Sequence, residues 1–541
     1  MSATPPTPRY LFRRPAALGG ATPEQVRVAI VGAGVVGLTM ALELARRGVA
    51  SVMLDEDDTV STGSRAICWA KRTLEIYGRL GLGERFLEQG VTWSRGRVFH
   101  RARETFGFDL LAEQGHEYPA FVNLQQYHAE VWLVQACEAS GLVDLRWKTR
   151  LAGVEHPRDG AMLRLQTPAG DYAMHAEWLL ACDGAGSTVR RALALPFIGQ
   201  EFRDRFLIAD VVMQAEFPTE RWFWFDPPFH PGQSVLLHKQ PDNMWRIDFQ
   251  LGPNADPEAE KQPDKVIARV QAMLAGVGNG PAPAFQLEWV SVYSFQCRRL
   301  ERFRHGRILF AGDSAHQVSP FGARGGNGGV QDVDNLGWKL AAVLAGEAPE
   351  CLLDSYDAER LPATDENILN SARATDFITP KSPAAQAYRD AVLELAARYA
   401  FARPLVNSGR LSRPAVLHGS ALHTPSALPG LALGSPPPDA PVLCAGRADW
   451  LLRHLGADGR FCLLCFGEVP AGMRPGITTV LVTDTEQPNA LWDHTGLVAQ
   501  RWGASPGDAL LLRPDQHLSA RLHRPDAAAI VAAHRRALGH A

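Results

Sequence analysis

The chain has 541 residues, which predicts roughly two to four domains rather than one core. Its 55 basic and 58 acidic residues give a formal net charge of −3, so the composition provides no basic field for nucleic acid or an anionic membrane. We find no run approaching the roughly 20 apolar residues of a membrane span, and residues 1–25, an expected loose tail, contain no apolar signal segment. The eight cysteines are scattered, mostly in apolar runs, which favours reduced thiols and a cytoplasmic location.

The first informative segment covers residues 26–55 and predicts a strand, a tight turn, a helix and a second strand. Gly32, Gly34 and Gly37 have the spacing of a dinucleotide turn, in which the helix N-terminus faces phosphates. Asp55 ends the second strand, where a carboxylate can accept hydrogen bonds from ribose hydroxyls. This segment by itself does not distinguish NAD from FAD.

Two later segments also end buried strands with a carboxylate. Asp183 and Gly184 follow the strand of residues 179–182, and Gly312 and Asp313 follow that of residues 307–311. A glycine-rich loop at 322–329 comes next, with backbone amides that could face an electron-rich ring. The three segments together predict FAD bound along its whole length.

Between residues 200 and 300 the sequence alternates, is rich in aromatic residues and is divided by turn residues. This pattern predicts an antiparallel sheet that carries the substrate over the flavin. The candidate substrate contacts are Trp222, Trp224, His238 and Arg246, with Asp248 on the same strand face as Arg246.

A stretch rich in Pro, Ser and Gly at 425–441 marks the start of a C-terminal α/β domain. There we predict helices at 447–455 and 526–537 and strands at 461–466, 478–482 and 509–513. Cys462 and Cys465 form a C-x-x-C spacing, but they lie within a strand, where thiols three residues apart point to opposite faces. We therefore expect core cysteines and not a redox pair.

The motifs in this order resemble the flavin-dependent aromatic hydroxylases of the para-hydroxybenzoate and phenol hydroxylase group, particularly the phenylpropionate-type members. The resemblance covers residues 26–375 and implies an α/β (α+β) fold with a Rossmann-like FAD-binding domain at 26–200 and 300–375. A substrate sheet at 201–299 is inserted into it. A helical connection at 376–424 and a thioredoxin-like domain at 425–541 follow.

The resemblance also assigns the cofactor-binding residues. They are Gly32, Gly34, Val35, Val36, Gly37, Asp55, Glu56, Arg65, Gln126, Asp183, Gly184, Gly312, Asp313, Pro320, Gly325, Gly326 and Asn327. Arg324 stands where relatives carry glutamine or lysine. Because no second glycine fingerprint is present, NADPH or NADH is expected to act as a transiently bound co-substrate.

The implied reaction is hydroxylation of a phenolic ring by O2 through a flavin C4a-hydroperoxide. Its demands on the protein are exclusion of water, positive potential near the flavin and ionisation of the phenol. The candidate catalytic residues are His238, Asp248, Arg246 and Pro320. For the residues of the predicted sheet, the competing interpretation is ordinary sheet packing with a surface Arg–Asp pair. His316 is expected to have a structural or flavin-positioning role and not that of a catalytic acid. We find no metal-ligand spacing.

Two other functions stay open at this point. One is tailoring of a larger polycyclic polyketide by the same architecture, and the other is a flavin-binding protein that does not hydroxylate. The expected partners are a phenolic small molecule, O2 and NAD(P)H, with a possible homodimer and neither nucleic acid nor membrane.

Overall fold

The computed structural model describes residues 7–20, 22–63, 66–252, 254–277, 282–406, 411–471 and 476–540. Eleven strands and five helices are interspersed up to residue 192 of the described chain. The strands are β1 Glu24–Val31, β2 Ser51–Leu54, β3 Cys68–Ala70, β4 Val91–Trp93, β5 Arg95–His100, β6 Arg103–Asp109, β7 Phe121–Asn123, β8 Val143–Arg146, β9 Arg150–Glu155, β10 Ala161–Thr167 and β11 Gly170–Ala181. The helices are α1 Val35–Arg46, α2 Lys71–Arg79, α3 Gly83–Gln89, α4 Gln126–Ser140 and α5 Thr188–Ala192.

Long strands dominate the middle of the chain, and helices follow them. The strands are β12 Phe197–Met213, β13 Arg221–Phe225, β14 Ser234–Lys239, β15 Met244–Leu251, β16 Phe285–Leu300, β17 Arg304–His305, β18 Ile308–Phe310 and β19 His316–Gln317. The helices are α6 Pro257–Glu260, α7 Pro263–Val277, α8 Gly325–Leu344, α9 Asp354–Ile378, α10 Pro383–Arg398 and α11 Arg403–Val406.

The C-terminal part alternates again. Its strands are β20 Pro441–Cys444, β21 Arg447–Trp450, β22 Phe461–Phe466, β23 Ile477–Thr483, β24 Leu491–Trp492, β25 Asp508–Leu512 and β26 Leu518–His523. Its helices are α12 Leu451–His454, α13 Leu497–Trp502 and α14 Ala527–Ala537.

The first sheet, which we call the nucleotide sheet, has the strand order β17-β18-β11-β1-β2-β8, with β10 and β9 added beside β11. β1 runs parallel to both β2 and β11, and β11 runs parallel to β18. The carboxyl ends of these strands therefore meet at one edge, which brings the three motif segments together. This arrangement confirms the predicted α/β class with a Rossmann-like domain.

The second sheet, which we call the substrate sheet, has the order β19-β16-β12-β15-β14-β13-β5-β6. One face packs on α7 in an apolar cluster that includes Val270 and Leu274. The β5–β6 hairpin joins this sheet through a parallel pairing of β5 with β13. The sheet therefore includes residues from outside the predicted range 201–299, because strand pairing across about 125 residues leaves no local sequence signal.

The N-terminal segment packs more closely than the expected loose tail. The ring of Tyr10 stacks on Trp147 with the ring centroids 4.5 Å apart. The backbone N–H of Tyr10 donates to the carbonyl of Asp58 at 2.7 Å. One aromatic anchor thus holds the described part of this segment to the nucleotide-binding part.

The third sheet, with the order β21-β20-β24-β23-β22-β25-β26, belongs to the C-terminal part. β22 is parallel to β23 and antiparallel to β25. The predicted helix at 447–455 is wrong in its first half, because residues 447–450 pair with β20 as a strand and only 451–454 are helical. Within the described ranges, no helix is both long and apolar enough to cross a bilayer.

Cys462 and Cys465 are fully buried on β22, as expected for core cysteines. Cys462 packs in one apolar cluster with Leu464, and Cys465 packs in another with Leu463, so the thiols lie on opposite faces of the sheet. Burial raises the pKa of each thiol to about 12. Both cysteines therefore serve packing.

Candidate functional site

The glycine turn after β1 has the geometry that a nucleotide diphosphate needs. Gly32 has φ +99°, and a Cβ there would come 2.5 Å from the carbonyl oxygen of Cys182. A Cβ on Gly37 would overlap the carbonyl of Gly32, so α1 can approach β1 only with glycine at this position. A Cβ on Gly34 would meet, among the described residues, Glu130 Oε1 alone, at 3.8 Å, which leaves the helix N-terminus open on that side.

Asp55 follows β2 and holds this turn in place. Its Oδ2 accepts from the N–H of Ala33 at 2.6 Å, and its Oδ1 accepts from the N–H of Asp57 at 2.9 Å. Burial raises the pKa of Asp55 to about 6, against the lowering effect of these hydrogen bonds. Glu56 is exposed beside it, 3.9 Å from Arg150.

Asp183 lies at the end of β11. Its Oδ2 accepts from the N–H of Val189 at 3.1 Å, at the start of α5, while Ser187 caps the same helix by accepting from the N–H of Arg190. Its Oδ1 is buried and has no hydrogen-bond partner among the described residues. Burial raises the pKa of this carboxyl, so an external donor at Oδ1 would lower the cost of burying it.

The third segment begins at Gly312, whose φ of +67° places it against the side chain of Val36. Asp313 comes next and is exposed to the cavity described below. The loop then leads through exposed Pro320 to the N-terminus of α8. Among the described residues, the nearest neighbour of a Cβ on Gly326 would be Ala66 Cβ, at 3.6 Å. The first residues of α8 line the cavity, and their N–H groups have no partner within the helix.

Asn327 and Gln126 brace the loop residues near this opening. Asn327 Oδ1 accepts from the N–H of Ala70 at 2.9 Å, and its Nδ2 donates to the carbonyl of Cys68 at 2.9 Å. Gln126 Oε1 accepts from the N–H of Ala66 at 3.1 Å, and its Nε2 donates to Glu130 Oε1 at 2.8 Å. Arg65, a predicted cofactor contact, lies outside the described residues.

His316 lies in a buried cluster of charged side chains. Its Nε2 lies 2.6 Å from Asp332 Oδ2, and Arg360 Nε donates to Asp332 Oδ1 at 2.8 Å. Burial acts to raise the pKa of Asp332, but His316 and Arg360 outweigh it and hold the pKa at about 2. Asp332 also accepts from the N–H of Gly312, so this buried cluster fixes the end of β18.

One cavity of about 1210 Å³ joins all three segments to the substrate sheet. At one end it is lined by Gly32, Gly34, Val35, Val36 and Asp55, with Glu56 at the rim. It continues past Gln126, Asp183, Gly184, Asp313, Pro320, Gly325, Gly326 and Asn327. At the other end it is lined by His238, Arg246 and Asp248. The predicted site residues that line this cavity thus border one continuous space.

The polar groups of the substrate sheet lie close together in this cavity. His238 Nε2 is 3.8 Å from Asp248 Oδ2. Burial, with Arg221 and Arg246, lowers the pKa of His238 well below its ordinary value, so its ring is neutral. Burial raises the pKa of Asp248 to about 6, although Arg246 and Arg221 oppose the shift.

Arg246 does not form the predicted alternative of a surface pair with an aspartate on its own strand. It is buried, and its Nε and Nη2 donate to the two carboxylate oxygens of Asp210 at 2.8 Å each. This bidentate pair is held on β15 and β12, where Asp210 and Arg246 are direct cross-strand partners.

The structure does not bring Trp222 and Trp224 to the cavity. They point to the opposite face of β13, where Trp224 stacks on Phe99 with the ring centroids 5.1 Å apart. Arg221, Trp289 and Tyr293 line the cavity instead. The alternation of side chains along β13 separates Arg221 from Trp222 and Trp224. The sequence does not show which of the two faces meets the cavity, because that depends on the register of β13 with β14.

A profile of the FAD binding domain family matches residues 25–371. The chain belongs to this family of flavoproteins. It is 33% identical over 529 residues to 6-methylpretetramide 4-monooxygenase of Streptomyces rimosus, covering 92% of this chain and 91% of that protein. It is 25% identical to the 3-(3-hydroxy-phenyl)propionate/3-hydroxycinnamic acid hydroxylase of Mycolicibacterium smegmatis, covering 92% and 90% of the two chains.

A solved structure has the same fold over nearly the whole flavoprotein. The flavin-dependent monooxygenase PieE, crystallised with FAD and substrate, superposes with a TM-score of 0.81 at 21% identity, covering 96% of this chain and all of that one. The predicted FAD-dependent hydroxylase resemblance and the fold class are thereby confirmed.

The residues of this flavoprotein also fit FAD on structural grounds. The turn at Gly34 is open for a diphosphate, the buried Oδ1 of Asp183 has no donor among the described residues, and the first residues of α8 line the cavity. The cavity reaches from the nucleotide turn to the substrate sheet, as the two ends of FAD require. Gly32 and Gly37 shape the turn, and Val36 supports it through Gly312.

Proposed function

We propose that the protein is an NAD(P)H- and O2-dependent monooxygenase that hydroxylates a phenolic ring of a polycyclic substrate. The observation that carries the proposal is the single cavity of about 1210 Å³ that runs from the nucleotide turn to the charged face of the substrate sheet. Bound FAD would supply the redox chemistry by which one atom of O2 enters the ring.

The chain's own residues would perform three tasks. Asp248 would take the proton of the phenol O–H, which makes the ring carbons more nucleophilic. The amides of Gly325, Gly326 and Asn327 at the start of α8 would hold the electron-rich edge of the bound ring system. The apolar residues Ile208, Leu236 and Phe295 that line the cavity would exclude water.

The size of the substrate face supports a polycyclic substrate. His238 and Arg246 line one level of this face, Leu236 and Asp248 line the next, and Tyr293 lines the third, because Tyr293 pairs with Phe206 two residues from Ile208, the partner of Asp248. Levels two residues apart are separated by about 7 Å along a strand, so three of them span about 13 Å. Of the two relatives compared above, the 6-methylpretetramide 4-monooxygenase has the higher sequence identity, which agrees with this choice. A single-ring phenol is the second candidate, favoured by the phenylpropionate-type relative.

The test is a substrate panel with the FAD-loaded protein under ¹⁸O2. 1,8-Dihydroxyanthraquinone represents the polycyclic class and 3-(3-hydroxyphenyl)propionate the single-ring class, each with NADH and with NADPH. We expect ¹⁸O in a hydroxylated anthraquinone, with NAD(P)H oxidation matched by product. Labelled product from the single-ring phenol alone would support the second candidate. Hydrogen peroxide without labelled product from either compound would contradict hydroxylation.

A further inference from the structure

A row of polar and aromatic side chains crosses the substrate sheet at the level of Arg246. Strand register pairs Trp289 with Asp210, Asp210 with Arg246, and Arg246 with His238. Trp222 pairs with Leu237 on β14, so Arg221, one residue earlier, comes beside His238. We call these five residues the charged row.

One cation of the charged row, Arg221, has no carboxylate partner among the described residues. Arg246 is neutralised by Asp210 through two hydrogen bonds of 2.8 Å. Arg221 lines the cavity and, among the residues that the structure describes, forms neither an ion pair within 4.0 Å nor a side-chain hydrogen bond. Removing an unpaired guanidinium from water costs free energy unless an anionic group of a bound ligand pairs with it.

The other titratable groups around Arg221 do not provide that anion. His238 is neutral because burial and the two arginines lower its pKa, and burial raises the pKa of the Cys68 thiol to about 11. Tyr293 remains a neutral phenol because burial raises its pKa well above the ordinary value. The remaining carboxylate is Asp248, whose pKa of about 6 reflects burial that Arg246 and Arg221 only partly offset.

The next levels of the same face become less polar. Asp248 shares its level with Ile208 and Leu236, and the level beyond contains Phe206 and Tyr293. A substrate on this face therefore meets a cation at one end, a proton acceptor one level along, and hydrocarbon and aromatic surface farther on.

We propose that Arg221 binds the ionised oxygen of a polycyclic phenol whose oxygen-bearing edge lies on the charged row. This inference rests on the proposed function and specifies its substrate class. The phenol O–H bond breaks, its proton bonds to a carboxylate oxygen of Asp248, and the negative charge passes from Asp248 to the phenolate oxygen beside Arg221. A carboxylate substituent would also satisfy Arg221, but it would need no proton acceptor, whereas Asp248 lies one level away.

The ionisation of a bound phenol can be measured without turnover. The FAD-loaded protein, with no NAD(P)H, is titrated with 1,8-dihydroxyanthraquinone, and the phenolate is followed by visible difference spectra across pH. We expect a bound-state pKa below that of the free compound. Arg221→Gln should raise the bound-state pKa by about one unit or more, because an opposite charge nearby shifts a pKa by that amount. Arg221→Lys should restore most of the shift.

Controls separate the alternatives. Arg103→Gln removes an exposed cation on the edge strand β6, two strands from β13, and should leave the spectra unchanged. Anthraquinone-2-carboxylate tests the alternative that Arg221 binds a carboxylate substituent. If Arg221→Gln weakens the binding of this compound and leaves that of the dihydroxy compound unchanged, the proposal is overturned. An unchanged bound-state pKa in Arg221→Gln, or failure of the dihydroxy compound to bind the wild-type protein, would overturn it as well. If Arg221→Gln loses FAD, Arg221→Met, which keeps an apolar stem, replaces it in the comparison.

The two proposals can fail separately. A lowered bound-state pKa that depends on Arg221, without ¹⁸O incorporation, would support the binding role and contradict hydroxylation. Labelled product with a bound-state pKa that Arg221→Gln does not change would support hydroxylation and contradict the role of Arg221.

Discussion

Asp248 and His238 share one face of the substrate sheet, yet burial shifts their pKa values in opposite directions. Burial disfavours the charged form of each group, so the pKa of Asp248 rises to about 6 and that of His238 falls well below its ordinary value. At neutral pH Asp248 is ionised and able to accept a proton. The imidazole is also unprotonated, but two arginines make its protonation unfavourable.

Asp248→Asn tests Asp248 as the base. Wild-type kcat should fall as the pH drops through about 6, because protonation removes the acceptor. Asp248→Asn should lose this acidic limb and reduce kcat by about 10²–10⁴-fold. The measurement is kcat against pH for the hydroxylated phenol, with His238→Gln as the matched variant that should keep the limb. An acidic limb that persists in Asp248→Asn would rule out this role.

Gly37→Ala tests the turn that shapes the FAD site. The added Cβ overlaps the carbonyl of Gly32, so α1 and β1 must separate, at a cost of about 1–3 kcal/mol. We expect a lower Tm and less FAD retained after purification, read from flavin absorbance per chain. Gly252→Ala is the control, because a Cβ there meets none of the described residues within 4 Å. Full FAD content in Gly37→Ala would show that the turn tolerates the change.

At the scale of elements, the turn between β25 and β26 inserts into the nucleotide-binding part. Arg513 and Asp515 are fully buried there, and Arg513 Nη1 donates to Glu359 of α9 at 2.5 Å. Glu359 also accepts from Lys339 of α8 at 2.7 Å. This buried network ties the C-terminal sheet to α8, the helix whose N-terminus faces the cavity.

Asp515→Asn should destabilise this junction by about 3–5 kcal/mol, because it leaves Arg513 partly uncompensated. Burial acts to raise the pKa of Asp515, but Arg513 and His517 outweigh it and hold the pKa well below its ordinary value. A lowered folded-state pKa stabilises the fold above the unfolded-state pKa of about 4, and the contribution is lost as the pH falls further. Urea unfolding should therefore show acid sensitivity in the wild type and less in Asp515→Asn.

An exposed ion pair is the control for this experiment. Glu258 and Lys261 lie 2.7 Å apart on the surface, and Glu258→Gln should cost under about 1 kcal/mol. Equal effects of the two substitutions would mean that the buried network contributes no more than a surface pair.

For the whole molecule, the cavity and the C-terminal sheet are separate. The described residues that line the cavity extend only from Val31 to Asn327, whereas the C-terminal sheet begins at Pro441. The C-terminal part therefore acts on the site through packing, with Trp338 of α8 against Phe461 of β22 at a ring-centroid distance of 5.6 Å.

The cysteines provide a test of that packing role. Brief iodoacetamide treatment of the native protein should label exposed Cys351 and leave Cys462 and Cys465 unmodified, because burial raises the pKa of both thiols to about 12. Peptide mass spectrometry gives the extent at each position, and unfolding in urea should make all three reactive. Rapid native labelling of Cys462 or Cys465 would instead indicate an accessible thiol pair.

Local sequence determined the glycine turn after β1. Gly32 and Gly37 could be placed in this turn, and Asp55 at the end of β2, because a tight turn and the end of a strand impose their requirements within about 25 residues. The burial of Cys462 and Cys465 on opposite faces was predictable for the same reason, since strand periodicity is local.

Only the tertiary structure decided the substrate end. Which face of β13 meets the cavity depends on its register with β14 and on α7 covering the other face, so Arg221 replaces Trp222 there. The partner of Arg246 is Asp210, from a strand about 36 residues away, and the β5–β6 hairpin joins the sheet from still farther. Pairings between distant strands depend on the whole fold, and no local pattern encodes them.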